Sequence, residues 1–159
     1  MKRLKKGFTL IELLVVIAII GILATTLAPK LREQLAKAKD SKAIALLGAA
    51  RTAGSVVLVD KMVQDTSGAA LTINLTEIKA KLDSKTADMV DAGALVAIGG
   101  ARPGADGDLV YGGNVTLAAS GTAISTTYTV ANDDLELNLQ NITTSANTHS
   151  TEGKTWLSY

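Results

Sequence analysis

The sequence contains no cysteine, one histidine and two prolines, and its aromatic residues are one Trp, three Tyr and one Phe. Without cysteine there is no disulfide framework, no thiolate zinc site and no cysteine nucleophile. A lone His149 leaves little for a metal cluster or a histidine relay, and so few rings supply neither a stacking surface nor a flat-cofactor pocket. A strong excess of charge of one sign is also missing, with 16 Lys and Arg against 15 Asp and Glu. Nucleic-acid binding by phosphate neutralisation requires a clear basic excess, so no nucleic-acid partner is expected. Enzymatic readings begin at a disadvantage, and no catalytic residue, cofactor or metal ligand is assigned.

What the averages hide is a polarised order of charge. Lys2, Arg3, Lys5 and Lys6 form a basic tip with no acid among them. From Phe8 to Pro29 the single charge is Glu12, while residues 30–61 carry seven bases and three acids, and residues 62–159 carry five bases and eleven acids. A basic tip, an apolar rod, a basic stem and an acidic head follow one another. The apolar stretch Phe8–Leu27 reaches roughly 30 Å as helix, enough for a bilayer core, and in lipid helix is the only state that satisfies its backbone. A cleaved signal peptide ending at Thr26-Leu27-Ala28 is one alternative, but the stretch exceeds the usual apolar length of about 7–15 residues. A plain anchor is the other, and it leaves Glu12 unexplained, since an acid within a span normally marks a partner or a function.

Lys5-Lys6-Gly7-Phe8-Thr9-Leu10-Ile11-Glu12-Leu13-Leu14 resembles the prepilin processing site of type IV pilins and pseudopilins. The resemblance extends through Gly21 and Pro29, covers some 30 of the 159 residues strongly, and leaves the head unmatched. It implies that a prepilin peptidase cuts after Gly7 and methylates the new amino terminus on Phe8. It also implies a helix weakened at Gly21 and Pro29. Glycine costs about 1 kcal/mol in a helix interior and proline about 3. The proposed order is a leader over 1–7, a membrane and filament-core helix over 8–29, a helical stem over 30–63 and a globular head over 64–159.

In the stem, Leu31, Leu35 and Ala38 recur at helical spacing among charges, so helix is expected to resume after Pro29 with a kink or local opening there. From Ala43 to Val59 only Arg51 is charged, and its mid-segment position argues against a second span. Asp65-Thr66-Ser67-Gly68 ends the stem. One or two short helices are expected over 75–91, and strands thereafter. Leu95–Ile98 reads as a strand followed by a loop over 99–107, and Gly112-Gly113 reads as a hairpin turn. Ser120-Gly121 and Asn132-Asp133 read as further turns. Ile124, Tyr128 and Val130 share one strand face, as do Leu135, Leu137 and Leu139, which predicts an antiparallel sheet with one covered and one solvated face. The expected fold class is therefore α+β: the long N-terminal helix packed on an antiparallel sheet, as the pilin resemblance also implies. Trp156, Leu157 and Tyr159 are expected to tie the C-terminus to the sheet.

Asp106-Gly107-Asp108 and Asn132-Asp133-Asp134 offer oxygen ligands, but without the spacing of a calcium loop they read as turns. Asn74, Asn114 and Asn141 begin glycosylation triplets of the kind a Thr-rich head produces by chance. Thr143–Thr151 reads as an exposed polar loop that places His149 in solvent.

The functional expectation is a structural subunit of an extracellular filament, held in the bacterial inner membrane before assembly and displayed at the cell surface afterwards. Its expected partners are the bilayer, the peptidase, the assembly machinery and copies of itself. A pseudopilin of a type II secretion system lacks support, because its Asp-Pro-Trp-Gly-like motif and calcium loop are absent. A minor pilin with a binding head is the other alternative. Glu12 is the expected assembly residue: an incoming Phe8 amine pairs with the Glu12 of a placed subunit and sets axial register.

Overall fold

The computed structural model describes residues 7–103, 109–124, 127–130, 135–140 and 149–159, without the side chains of 101–103 and 109. Two compact units result, Met1–Gln34 and Leu35–Tyr159. The basic tip, the turn at Asn132-Asp133 and the two Asp-rich oxygen clusters lie outside the described residues, as does most of the Thr-rich run.

Helix α1 spans Leu10–Gln64. Its hydrogen-bonded pattern continues through Gly21 and Pro29, so no opening occurs in the isolated chain. The Thr25 hydroxyl donates to the Ile22 carbonyl at 2.8 Å and that of Thr26 to the Leu23 carbonyl at 2.9 Å, in the turn before Pro29, whose missing N–H leaves the Thr25 carbonyl without its helical donor. In the first unit the apolar side chains are exposed all round. In the second, α1 buries Ala43, Leu46, Leu47, Ala50, Ala53, Gly54, Val57 and Leu58, a stripe at three- and four-residue spacing. Small residues in that stripe let the sheet approach closely: a Cβ built on Gly54 would lie 2.9 Å from Leu135 Cδ2. Arg51, which interrupts the apolar stem, donates from Nε to the Leu137 carbonyl at 2.9 Å and so ties helix to sheet.

After α1 the chain turns at Gly68, whose φ of +65° is a glycine conformation. A short strand β1 (Thr72–Ile73) leads to α2 (Leu75–Lys81) and α3 (Ser84–Ala87), so two short helices do occupy the expected region. Asn74 caps α2 in a reciprocal box with Glu77, which puts its side chain to structural use. The strands are β2 (Leu95–Pro103), β3 (Leu109–Ala119), β4 (Thr122–Ala123), β5 (Tyr128–Thr129) and β6 (Leu137–Gln140), followed by a 3-10 turn at Trp156–Ser158. β3 is central, pairing antiparallel with β2, β4 and β6, while β5 pairs with β1 in a separate two-stranded sheet. The second unit is thus α+β, with α1 packed on antiparallel sheet through one hydrophobic core.

Four local expectations are corrected. Gly112-Gly113 does not turn the chain; both glycines lie inside β3 with φ of +99° and +150°. Nor does β2 stop at Ile98. It continues past Gly99-Gly100, which stand opposite the single Gly112 where the register shifts, a β-bulge. Glycine pairs read as a turn by propensity served here to accommodate a bulge. The 124–130 segment is not one strand, since Ile124 follows β4 and Tyr128-Thr129 leaves for β1. Finally, the second sheet face is covered along 115–119, where Thr116 and Ala118 are buried as well as Val115, Leu117 and Ala119. The Ser120-Gly121 turn is present, with φ of 46° and 80°. Trp156 is buried in the core and packs against β6, but Leu157 is exposed.

Candidate functional site: the start of the long helix

Gly7, Phe8 and Thr9 precede the first helical residue, and all three are exposed. The Gly7–Phe8 bond therefore lies in non-helical chain with nothing within 4 Å of a Cβ built on Gly7. Phe8 is 84% exposed, and from Leu10 through Leu27 the leucines, isoleucines and valines are exposed in turn. Such a surface far exceeds the scattered apolar exposure of soluble monomers. By length and composition this is the one helix among the described residues long and apolar enough to cross a membrane.

Glu12 faces the start of its own helix. Thr9 N–H donates to Glu12 Oε2 at 2.8 Å, and the Thr9 hydroxyl donates to the same oxygen at 2.9 Å. In return Glu12 N–H donates to Thr9 Oγ1 at 3.3 Å. This is a capping box, with Thr9 at the N-cap and Glu12 three residues on, and it places a carboxylate at the positive end of the helix dipole. The Thr-x-x-Glu pattern before an apolar run is a legible signal that an emphasis on Glu12 alone passes over. All the carboxylate's bonds end on Oε2; Oε1 accepts nothing among the described residues.

The five residues singled out in sequence therefore fall into two places on one element. Gly7, Phe8 and Glu12 gather at the helix start, whereas Gly21 and Pro29 lie further along it, where a Cβ on Gly21 would also meet nothing within 4 Å. Elsewhere, no group of three or more His, Asp and Glu suited to a metal occurs among the described residues. His149 forms an isolated antiparallel bridge with Thr155 near the C-terminus.

A buried carboxylate that sequence reasoning did not single out organises the head. Asp40 is only 5% exposed, on the α1 face toward the sheet. Its Oδ1 accepts from the Gly99 and Gly100 amides at 2.7 and 2.9 Å, and its Oδ2 accepts from the Thr151 amide at 2.6 Å and from the Thr151 hydroxyl. One side chain thus clasps the β2 bulge and the C-terminal segment to the helix. Gly99 is required there, since a Cβ would fall 1.8 Å from the Ala36 carbonyl oxygen.

Residues 2–28 match the family described as the prokaryotic N-terminal methylation motif. Fimbrial protein Q of Moraxella bovis is 32% identical over 131 residues, spanning 82% of this chain and 74% of that protein. Type IV major fimbrial protein FimA of Dichelobacter nodosus is 47% identical over 60 residues, and type IV major pilin protein PilE1 of Neisseria gonorrhoeae is 54% identical over 46. Those two matches cover 38% of the former protein and 28% of the latter, so identity concentrates in part of their length. No solved structure matches the chain.

Proposed function

The chain belongs to the type IV pilin family, and from that membership we propose that it is the structural subunit of a pilus-like extracellular filament. The observation that carries the reading is the fully exposed apolar helix start, Phe8–Leu27, with its single carboxylate Glu12. A helix apolar all round needs cover on every side. Lipid supplies that cover for the precursor in the inner membrane, and the same helix of other copies supplies it in the filament.

The proposed path begins with cleavage by a prepilin peptidase after Gly7 and N-methylation of Phe8. The exposed, non-helical geometry of Gly7-Phe8 is compatible with entry into a protease cleft. Cleavage creates a positive amine close to Glu12. The capping box satisfies Oε2 within a lone subunit, which lowers the cost of holding a carboxylate near lipid. Oε1 is left for the amine of an incoming subunit, and two buried charges are tolerable only as a pair. Because apolar helix faces slide without preference, this one pairing sets axial register. Gly21 and Pro29 then mark where α1 yields when neighbours supply partners for the freed backbone groups.

Two measurements test the reading. Mass spectrometry of the mature chain is expected to begin at methylated Phe8; a terminus at Pro29 would establish a signal peptide instead. Glu12→Val is expected to leave processed, membrane-held subunits that fail to form normal filaments. Thr9→Val separates the two roles of Glu12, because it removes the hydroxyl half of the cap and retains the carboxylate for pairing. Filament yield from Glu12→Val equal to wild type would reduce Glu12 to a capping residue.

A further inference from the structure

A groove of about 420 Å³ opens between α1, α3 and β2 in the second unit, and Lys39, Lys42 and Lys85 line it. Lys39 and Lys42 are three residues apart on one side of α1, while Lys85 comes from α3. Its floor is apolar, with Leu46 buried and Met89 half-buried, and Asp88 is the one carboxylate along it.

What distinguishes these lysines is that their ammonium groups are unused. Lys61 pairs with Glu77, Lys81 pairs with Asp60, Lys79 donates to the Val90 carbonyl at 2.7 Å, and Lys154 lies 4.0 Å over the Tyr159 ring. Lys39, Lys42 and Lys85 have no ion pair or side-chain hydrogen bond among the described residues, although all three are exposed and border one cavity. A concave apolar floor rimmed by unpaired cations recognises an acidic peptide segment carrying apolar side chains.

We infer that this groove seats an acidic segment of a second copy of the chain, a contact that rests on the filament reading and gives it a lateral interface. The counter-charge is on the same sequence: residues 62–159 hold eleven acids against five bases, and Asp133, Asp134 and Glu136, around Leu135, form its densest acidic run. Among the described residues, no carboxylate of the same chain pairs with the three groove lysines. Glu136 adjoins Leu137, whose carbonyl takes Arg51 Nε, and Arg51 lies nine residues beyond Lys42, about 13 Å further along α1. Basic groove against acidic run joins unlike surfaces, the class of contact that propagates an open filament when its rotation does not close.

Because the sequence lacks cysteine and the groove is rich in amines, carbodiimide coupling of wild-type filaments is a direct test. With isotopically mixed subunits, joins between copies are expected from Lys39, Lys42 or Lys85 to Asp133, Asp134 or Glu136. The double variant Lys39→Glu, Lys42→Glu and the double variant Asp134→Lys, Glu136→Lys should each cut filament yield about tenfold at physiological salt. Expressed together they should regain filaments, since each then offers the charge its partner lacks. Unchanged Trp156 fluorescence and normal processing show that the variants fold. Wild-type yield from the lysine variant, or joins to other carboxylates only, would overturn the inference. Loss of binding to anionic vesicles with filaments intact would assign the groove to a membrane surface and equally overturn it. A wild-type chain that forms no filaments would sink the filament reading itself. The groove would then be judged by the same joins between copies in concentrated detergent solution.

Discussion

Removing the Asp40 carboxylate is expected to destabilise the head more than any other single polar change. Asp40→Ala takes the acceptor from the Gly99, Gly100 and Thr151 amides together. A buried donor left without a partner costs about 1–3 kcal/mol. Gly99 and Gly100 are buried, so water does not replace the carboxylate there. Thr151 is half-exposed, and Asp40 also lines a small cavity of about 40 Å³ bordered by Ser150 and Glu152, so its amide is rehydrated. Two stranded amides then give about 2–6 kcal/mol, and recovery of the carboxylate's own burial cost brings the net to about 3 kcal/mol. Against a typical total of about 5–15 kcal/mol this is a large share, and it lowers the melting temperature by about 10 °C. Asp40→Asn keeps one carbonyl oxygen but sets an amide donor against donors, so it should fall between. The assay is thermal unfolding of the full chain in detergent followed by Trp156 fluorescence, with hydrogen exchange at the three amides. An Asp40→Ala chain within about 1 kcal/mol of wild type, its Gly99 and Gly100 amides still protected, would refute the clasp.

Further outcomes follow from single positions. Gly99→Ala, whose Cβ would meet Ala36 backbone at 1.8 Å, should prevent the native bulge and abolish a cooperative melt, whereas Gly48→Ala, with nothing within 4 Å, should stabilise α1 by up to about 1 kcal/mol. Trp156→Ala should cost about 3–5 kcal/mol by opening a cavity in the core, read as a lowered denaturation midpoint. Asp83 at the N-cap of α3 is held below the usual carboxylate range by the Thr86 hydroxyl, then by the Thr86 and Lys85 amides. Its contribution is therefore present above its unfolded value of about 4 and is lost as pH falls through the lower folded value. NMR titration that placed Asp83 at or above the ordinary value would contradict this.

The N-terminal third of the chain was legible from residues because its constraints are local. An apolar run with one carboxylate specifies helix without reference to the head, whereas the buried stripe from Ala43 to Leu58 is picked out only by the sheet, because that stretch is apolar nearly all round. Capping is equally local: Thr9-x-x-Glu12 and Asn74-x-x-Glu77 both form boxes that spacing rules describe. Ser120-Gly121 turns because adjacent positive φ angles suit a tight hairpin. Gly112-Gly113 has the same local chemistry and does not turn, because its neighbours in space, the bulged Gly99-Gly100, keep β3 extended through it. Propensity cannot choose between those outcomes; strand pairing does.

Asp40 illustrates the same division from the polar side. In sequence it is one acid among the charges of an amphipathic stem, and nothing within a helical turn marks it as buried. Only the tertiary structure brings residues 59 to 111 positions away onto its two oxygens. With no cysteine to cross-link the C-terminal segment, that segment is fastened to α1 by hydrogen bonds to one carboxylate and by Trp156 in the core. Local composition determines which residues become helix, because helical bonds close within four residues. Which acid is buried, and which glycines bulge, is decided where distant backbone amides and a helix face compete for the same space.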